Sequence, residues 1–101
     1  MTMTRAEREA AAPVLRAMAH PIRIGVIELL AEGEKTVTEL HTALDCTQSA
    51  MSHQLSVLCA QGLVSMRREG TVKYCSLRNR AFLRLFQCLE SHVHDVLKID
   101  R

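Results

Sequence analysis

The side chains best able to hold a soft ion or meet an oxidant are four cysteines (Cys46, Cys59, Cys75, Cys88) and five histidines (His20, His41, His53, His92, His94). Cys88, His92 and Asp95 stand at i, i+4 and i+7, which on a helix places thiolate, imidazole and carboxylate on one face. That donor set suits a borderline-soft ion, with Cys75 or symmetry-related residues completing the sphere. The competing reading is that Cys88 packs as a small hydrophobe and His92 is solvated. His94 falls on a different face. Cys75 is in step with Leu77 on a strand and is expected to point into the core. Cys46 occupies an apolar turn position and is read as packing. Cys59 stands near the end of a helix, where nothing nearby lowers its pKa. No C-x-x-C spacing occurs, which argues against a zinc ribbon and a thioredoxin-like site. A Gly-rich phosphate loop, G-x-S-x-G and H-E-x-x-H are all missing, so the chain is read as not an enzyme.

A second constellation is polar. Downstream of Thr47, the residues Met51, Leu55 and Leu58 fall on one helical stripe. The opposite face carries Gln48, Ser49, Ser52, His53 and Ser56, with Gln54 at its margin. These side chains are short enough to approach a major groove and can bond base edges or phosphates. The helix dipole and free N–H groups at its start favour a phosphate. The net charge is only +2, yet residues 63–84 hold Arg67, Arg68, Lys73, Arg78, Arg80 and Arg84 against the single acid Glu69. A basic block in a near-neutral chain is a candidate polyanion contact. Arg67, Arg68 and Lys73 flank an expected turn at Glu69-Gly70, where a hairpin tip could touch the DNA backbone or the minor groove. Each phosphate neutralised releases counterions, so binding should depend steeply on salt. Taken singly, each feature could be a solvated surface; their adjacency argues for nucleic acid.

The elements that must position these residues follow from periodicity. With 48% hydrophobic and 24% charged residues over 101 positions, the chain is expected to form a single domain, 1–101. No apolar run approaches the ~20 residues of a membrane span. The start is charged where a secretory signal would be apolar, so the expectation is a cytoplasmic protein with reduced thiols. A helix is expected over 5–18, kinked or broken at Pro13. His20-Pro21 restarts a helix carrying Ile22, Val26, Leu29 and Leu30, which Gly33 stops. Gly and Pro are read as punctuation, Gly25 among them. Thr36 or Thr38 caps a short helix with Val37, Leu40 and Leu44 inward. Asp45-Cys46 makes a tight turn, and Thr47 caps the next helix, which Gly62 ends. Residues 63–77 read as a two-stranded hairpin. From 79 to about 99, Phe82, Leu85, Phe86, Leu89, Val93, Val96 and Leu97 recur at helical steps.

The expected fold is therefore mainly α with a small β-hairpin. It is a winged helix-turn-helix, with the motif at 36–61, the wing at 63–77 and dimerising helices at 5–18 and 79–99. A lone domain has little on which to bury the stripe of the last helix, which favours a homodimer. Packing of that stripe within its own domain is the alternative.

Ala19-His-Pro-Ile-Arg23, Thr38-Glu-Leu40, Gln48-Ser-Ala-Met-Ser-His-Gln-Leu-Ser-Val-Leu58, Gly62-Leu-Val64 and Arg67-Arg-Glu-Gly70 resemble the ArsR/SmtB family of small bacterial winged-helix repressors. The resemblance spans about residues 10–90 and is strongest from Gln48 to Leu77. It implies a homodimer that represses an operon until a metal, metalloid or thiol-reactive inducer weakens DNA binding. Zn, Cd and As(III) are the candidate ions. It also implies base readers at Gln48, Ser49, Ser52, His53 and Gln54, and wing contacts at Arg67, Arg68, Thr71 and Lys73. Two-fold symmetry would demand a roughly palindromic duplex operator. The family's known sensing sites are tested residue by residue. A cysteine cluster in the first helix of the motif is missing, since that helix holds His41 and no cysteine. The family's paired site on the last helix is half present: Asn79 and Ala81 replace one ligand pair, while His92 and Asp95 match the other. A redox pair with one cysteine in the second helix has no counterpart. The sensing candidates left are Cys75, Cys88, His92 and Asp95. A protein-interaction or dimerisation module without sensing is the rival; it predicts an apolar or acidic recognition face.

Overall fold

The computed structural model describes residues 2–100; Met1 and Arg101, the ends of the expected domain, lie outside the described residues. Five α-helices and three strands follow in the order α1 (Arg5–Met18), α2 (Pro21–Ala31), β1 (Lys35–Thr36), α3 (Val37–Ala43), α4 (Gln48–Ala60), β2 (Val64–Glu69), β3 (Val72–Leu77) and α5 (Leu83–Asp95). A single 3-10 turn at Arg80–Phe82 leads into α5.

Helix starts are set by side chains that take up the free N–H groups of the first turn. Thr4 and Thr36 each form a reciprocal capping box, with Glu7 and Glu39. Thr47 accepts from the Ala50 N–H at 3.0 Å and starts α4. His20 caps α2 through Nδ1, which accepts from the Ile22 N–H at 3.1 Å, with Pro21 in the first helical position. Of the two threonines considered for α3, Thr36 is the cap.

Three local expectations are corrected. α1 is one continuous helix across Pro13, which overturns the break that was one of the two expectations there. Proline removes one bond of the ladder, and the Ala-, Glu- and Arg-rich sequence around it favours helix strongly enough to continue. Gly25 does not punctuate; it is buried inside α2, where a Cβ would come within 2.7 Å of Leu44 Cδ2. Glycine there lets α3's end approach α2 closely. The last helix stops at Asp95, short of 99. Lys98 takes a positive φ of 60°, and the Ile99 carbonyl turns back to His94 Nδ1 at 2.6 Å.

The sheet has three strands, not two. β3 pairs antiparallel with β2 on one side and with the two-residue β1 on the other. β1 is too short to show a period in the sequence. Its pairing of Lys35 with Cys75 and Thr36 with Tyr74 ties the start of α3 to the root of the hairpin. The core gathers Val26, Ile27, Leu30, Leu40, Met51, Leu55 and Leu58, each at most 1% exposed, with Leu63, Val64 and Cys75 of the sheet region closing it. Met51, Leu55 and Leu58 are thus inward as expected; Leu44 is only half-buried. α5 buries no residue.

Candidate nucleic-acid interface

The inward stripe of α4 determines what its other face can do. With Met51, Leu55 and Leu58 in the core, Gln48, Ser49, Ser52, His53 and Ser56 are all exposed. α4 follows α3 after residues 44–47, where Asp45 takes φ 52°, a left-handed turn that aspartate tolerates. This is a helix-turn-helix with the short polar side chains on the outside of its second helix.

The hairpin stands beside that helix. Register runs from Val64 opposite Leu77 to Glu69 opposite Val72, which leaves Gly70 and Thr71 as a two-residue turn, one position later than expected. Gly70 has φ +64° and Thr71 does not, the pattern of a type II′ turn whose first position wants glycine. Arg68 faces Lys73 across the strands. An open groove of about 550 Å³ lies between hairpin and helices, lined by Thr36, Thr38, Gln48, Thr71, Lys73 and Tyr74. It places the first residue of α4 and the wing's lysine on one concavity.

Two of the expected DNA contacts have partners inside the protein. Arg67 forks onto Glu34, with Nε donating at 3.1 Å and Nη2 at 2.7 Å, while Nη1 donates to Glu69 at 2.8 Å. Its guanidinium also lies 4.4 Å from the centre of the Tyr74 ring, its cross-strand partner. The Arg67 hydrogen bond holds the Glu34 carboxyl below its ordinary range, and the two carboxylates keep Arg67 more firmly protonated. Gln54 is half-buried and accepts through Oε1 from Arg23 Nη1 at 2.6 Å. Arg68 makes no such bond among the described residues, and Thr71 and Lys73 are exposed at the hairpin tip. Sequence reasoning passed over Arg23, Glu34 and Tyr74. Arg23 had a signal, as the one cation of α2; Glu34 had none, because its partner is 33 residues away.

The sensing candidates separate. Cys75 is fully buried in β3, and burial pushes its thiol up to about 11. A buried, protonated thiol is neither a ready metal ligand nor a nucleophile, which weighs against the expected sensing role of Cys75. Cys88, His92 and Asp95 are exposed on α5. No group of three or more His, Cys, Asp or Glu among the described residues could hold a metal ion. Seven residues of helix span about 10 Å along the axis, too far for one ion to reach both Cys88 and Asp95. Cys46 and Cys59 are half-buried against the core, and burial raises the Cys59 thiol.

Comparison with known proteins agrees with this arrangement. The family model described as "Bacterial regulatory protein, arsR family" matches residues 20–66. The transcriptional repressor SmtB homolog of Synechocystis sp. is 35% identical over 79 residues, covering 78% of this chain and 60% of the relative. The nodulation protein NolR of Rhizobium meliloti is 39% identical over 83 residues, covering 82% of this chain and 68% of NolR. The chain therefore spans less than two thirds of the Synechocystis repressor. A homodimeric winged helix-turn-helix DNA-binding domain, Mb0332 from Mycobacterium bovis, superposes with a TM-score of 0.77 at 32% identity, covering 88% of this chain and 86% of that one. The chain belongs to the arsR family of bacterial regulatory proteins and carries its winged helix-turn-helix fold.

Proposed function

We propose that two copies of this chain bind a roughly palindromic duplex operator and repress transcription from it. One observation carries the reading: Gln48, the first residue of an exposed α4 face that continues through Ser49, Ser52 and His53, borders the same groove as the wing's Lys73 and Thr71. α4 would read base edges, while Arg68, Thr71 and Lys73 would meet the backbone. Such a repressor acts on the chromosome, in the cytoplasm. The exposed apolar residues Leu85 and Leu89 of α5, Val96 and Leu97 just beyond it, and Leu15 of α1 support dimerisation through the two terminal helices. A polar recognition face beside a basic wing favours DNA over a docking module that binds proteins.

Release by an inducer belongs to the same proposal and would act through α5. Cys88 is the exposed thiol there, open to a thiol-reactive agent. A metal or metalloid would need ligands from both protomers, since the described residues of one chain bring no three together.

The test is charge reversal of Arg68 and Lys73, which leaves the Arg67 contacts intact. Arg68→Glu/Lys73→Glu should weaken operator binding by about 100-fold at moderate salt and lower the slope of log K against log[salt] by about 2. The dimer mass should not change. Operator affinity that survives the double reversal would falsify the wing assignment.

A further inference from the structure

Arg23 is a half-buried cation placed where three segments meet. Its Nε donates to the Ala17 carbonyl at 2.5 Å, and its Nη2 reaches the Arg16 carbonyl at 3.5 Å. These are carbonyls of the last turn of α1, at the negative end of its dipole; the Arg16 carbonyl also accepts from the Ala19 N–H at 3.2 Å. Nη1 of the same guanidinium donates to Gln54 Oε1 at 2.6 Å, across 31 positions of sequence. One planar fork on α2 thus closes α1 and holds α4.

The chemistry of the pair restricts what Gln54 can do. Arginine has donors only, so the Gln54 atom facing it must be the carbonyl oxygen. Glutamine reads adenine with both ends of its amide, the oxygen accepting from N6 and the nitrogen donating to N7. With the oxygen committed to Arg23, that bidentate reading is closed. Ser52 and His53, by contrast, are exposed.

We propose that Arg23 and Gln54 form a positioning latch: Gln54 orients the recognition helix on the end of α1 and does not read a base. This rests on the DNA-binding reading above and deepens it. Because α1 is one of the two proposed dimerising helices, the latch ties the setting of α4 to the dimer interface.

The experiment uses the full chain and the duplex it enriches from a random 30-base-pair pool, together with single-base-pair variants of that duplex. Arg23→Ala, Gln54→Ala, the double variant and Gln54→Glu are compared by anisotropy and by thermal melting. Each alanine variant should lose about tenfold in affinity, and the double variant no more than either alone, because the two act as one unit. The loss should be the same on every duplex variant, with the salt slope unchanged, since no phosphate or base contact has been removed. Gln54→Glu keeps an acceptor for Arg23 and should stay within about threefold of the parent. Ser52→Ala, as a reference, should change preference at one base pair.

Losses that multiply, a preference altered at one base pair by Gln54→Ala, or a reduced salt slope in Arg23→Ala would each overturn the latch. Failure to enrich any duplex overturns the proposed function and the positioning role with it. Non-additive melting shifts of Arg23→Ala and Gln54→Ala would then show the contact to be structural only.

Discussion

The helix-turn-helix and the terminal helices carry the same kind of apolar periodicity and come to opposite ends. In α3 and α4 the apolar positions vanish from solvent: Leu40, Met51, Leu55 and Leu58 are at most 1% exposed. In α5 no residue is buried, and Leu85 and Leu89 stay 42% and 43% exposed. Periodicity states that a helix has a face to cover; it does not state which molecule covers it. Contiguous apolar surface left open on a small domain marks an interface. The helix-turn-helix side of this chain is packed against itself, and the outer stripe of α5 is left open, the face that the proposed dimer would cover.

The largest expected effects test that contrast directly. Leu55→Ala in α4 should cost about 2–5 kcal/mol of stability, the range for a buried leucine whose neighbours cannot fully collapse. Leu85→Glu/Leu89→Glu in α5 should leave the fold intact and halve the mass measured by light scattering. It should also abolish operator binding at protein concentrations that saturate the parent, because two recognition helices no longer act together. A double α5 variant that stays dimeric would break the comparison and move the interface elsewhere.

What the sequence made legible follows the same division. Elements packed within one chain announce themselves through caps and stripes: Thr36, Thr47 and the Met51–Leu55–Leu58 set all stand where their spacing placed them. The polar face of α4 was legible because its core stripe was. Tertiary polar contacts were not. Arg67 and Gln54 looked like outward-facing DNA contacts, yet their partners are Glu34 and Arg23, 33 and 31 positions away. No local pattern encodes such pairs, since a guanidinium accepts any carboxylate or amide oxygen the fold delivers. β1 escaped for a related reason: two residues have no period, and only the edge of β3 gives them one. The Cys88–His92–Asp95 spacing was real but incomplete, because one helical face alone does not bring i and i+7 to one ion.

Two cysteines sharpen the contrast at single-atom scale. Cys75 lies in the packed region and Cys88 in the open one. Alkylation of the native chain at pH 8 should label Cys88 within minutes and leave Cys75 unmodified until the protein unfolds. Burial raises the Cys75 thiol from 9.0 to about 11, so the native state keeps its proton while the unfolded chain releases it. The unfolded state then binds fewer protons, and stability falls as pH rises from about 9 to 11, by on the order of 2 kcal/mol. Cys75→Ala should remove that part of the decline, measured by urea unfolding across the range. Equal labelling of both thiols, or a decline unchanged by Cys75→Ala, would show that the sheet is more open than its packing implies.

The smallest effect concerns a part of the packed region that is held by exposed polar groups. The Arg67 fork on Glu34 ties the outer strand of the wing to the loop before β1 while both side chains remain partly in solvent. Exposed ion pairs contribute little to folding, so Glu34→Gln should scarcely move the melting temperature. Its effect should appear in the wing's position instead. The hairpin tip would lose a fixed orientation, and operator affinity should fall by about two- to threefold with a faster dissociation rate. The pH sign is set by Glu34, whose carboxyl is held below 4.5 by the Arg67 hydrogen bond. The contact is present above that value and is lost as pH falls through the lowered pKa, so at neutral pH only substitution removes it. Arg67→Lys is the sharper variant, since an ammonium keeps the charge but cannot fork onto Glu34 and Glu69 together. If Arg67→Lys matches Glu34→Gln, Arg67 serves the wing through its carboxylates. If Arg67→Gln, which removes the charge, lowers the salt slope by about 1, Arg67 leaves Glu34 for a phosphate when DNA arrives.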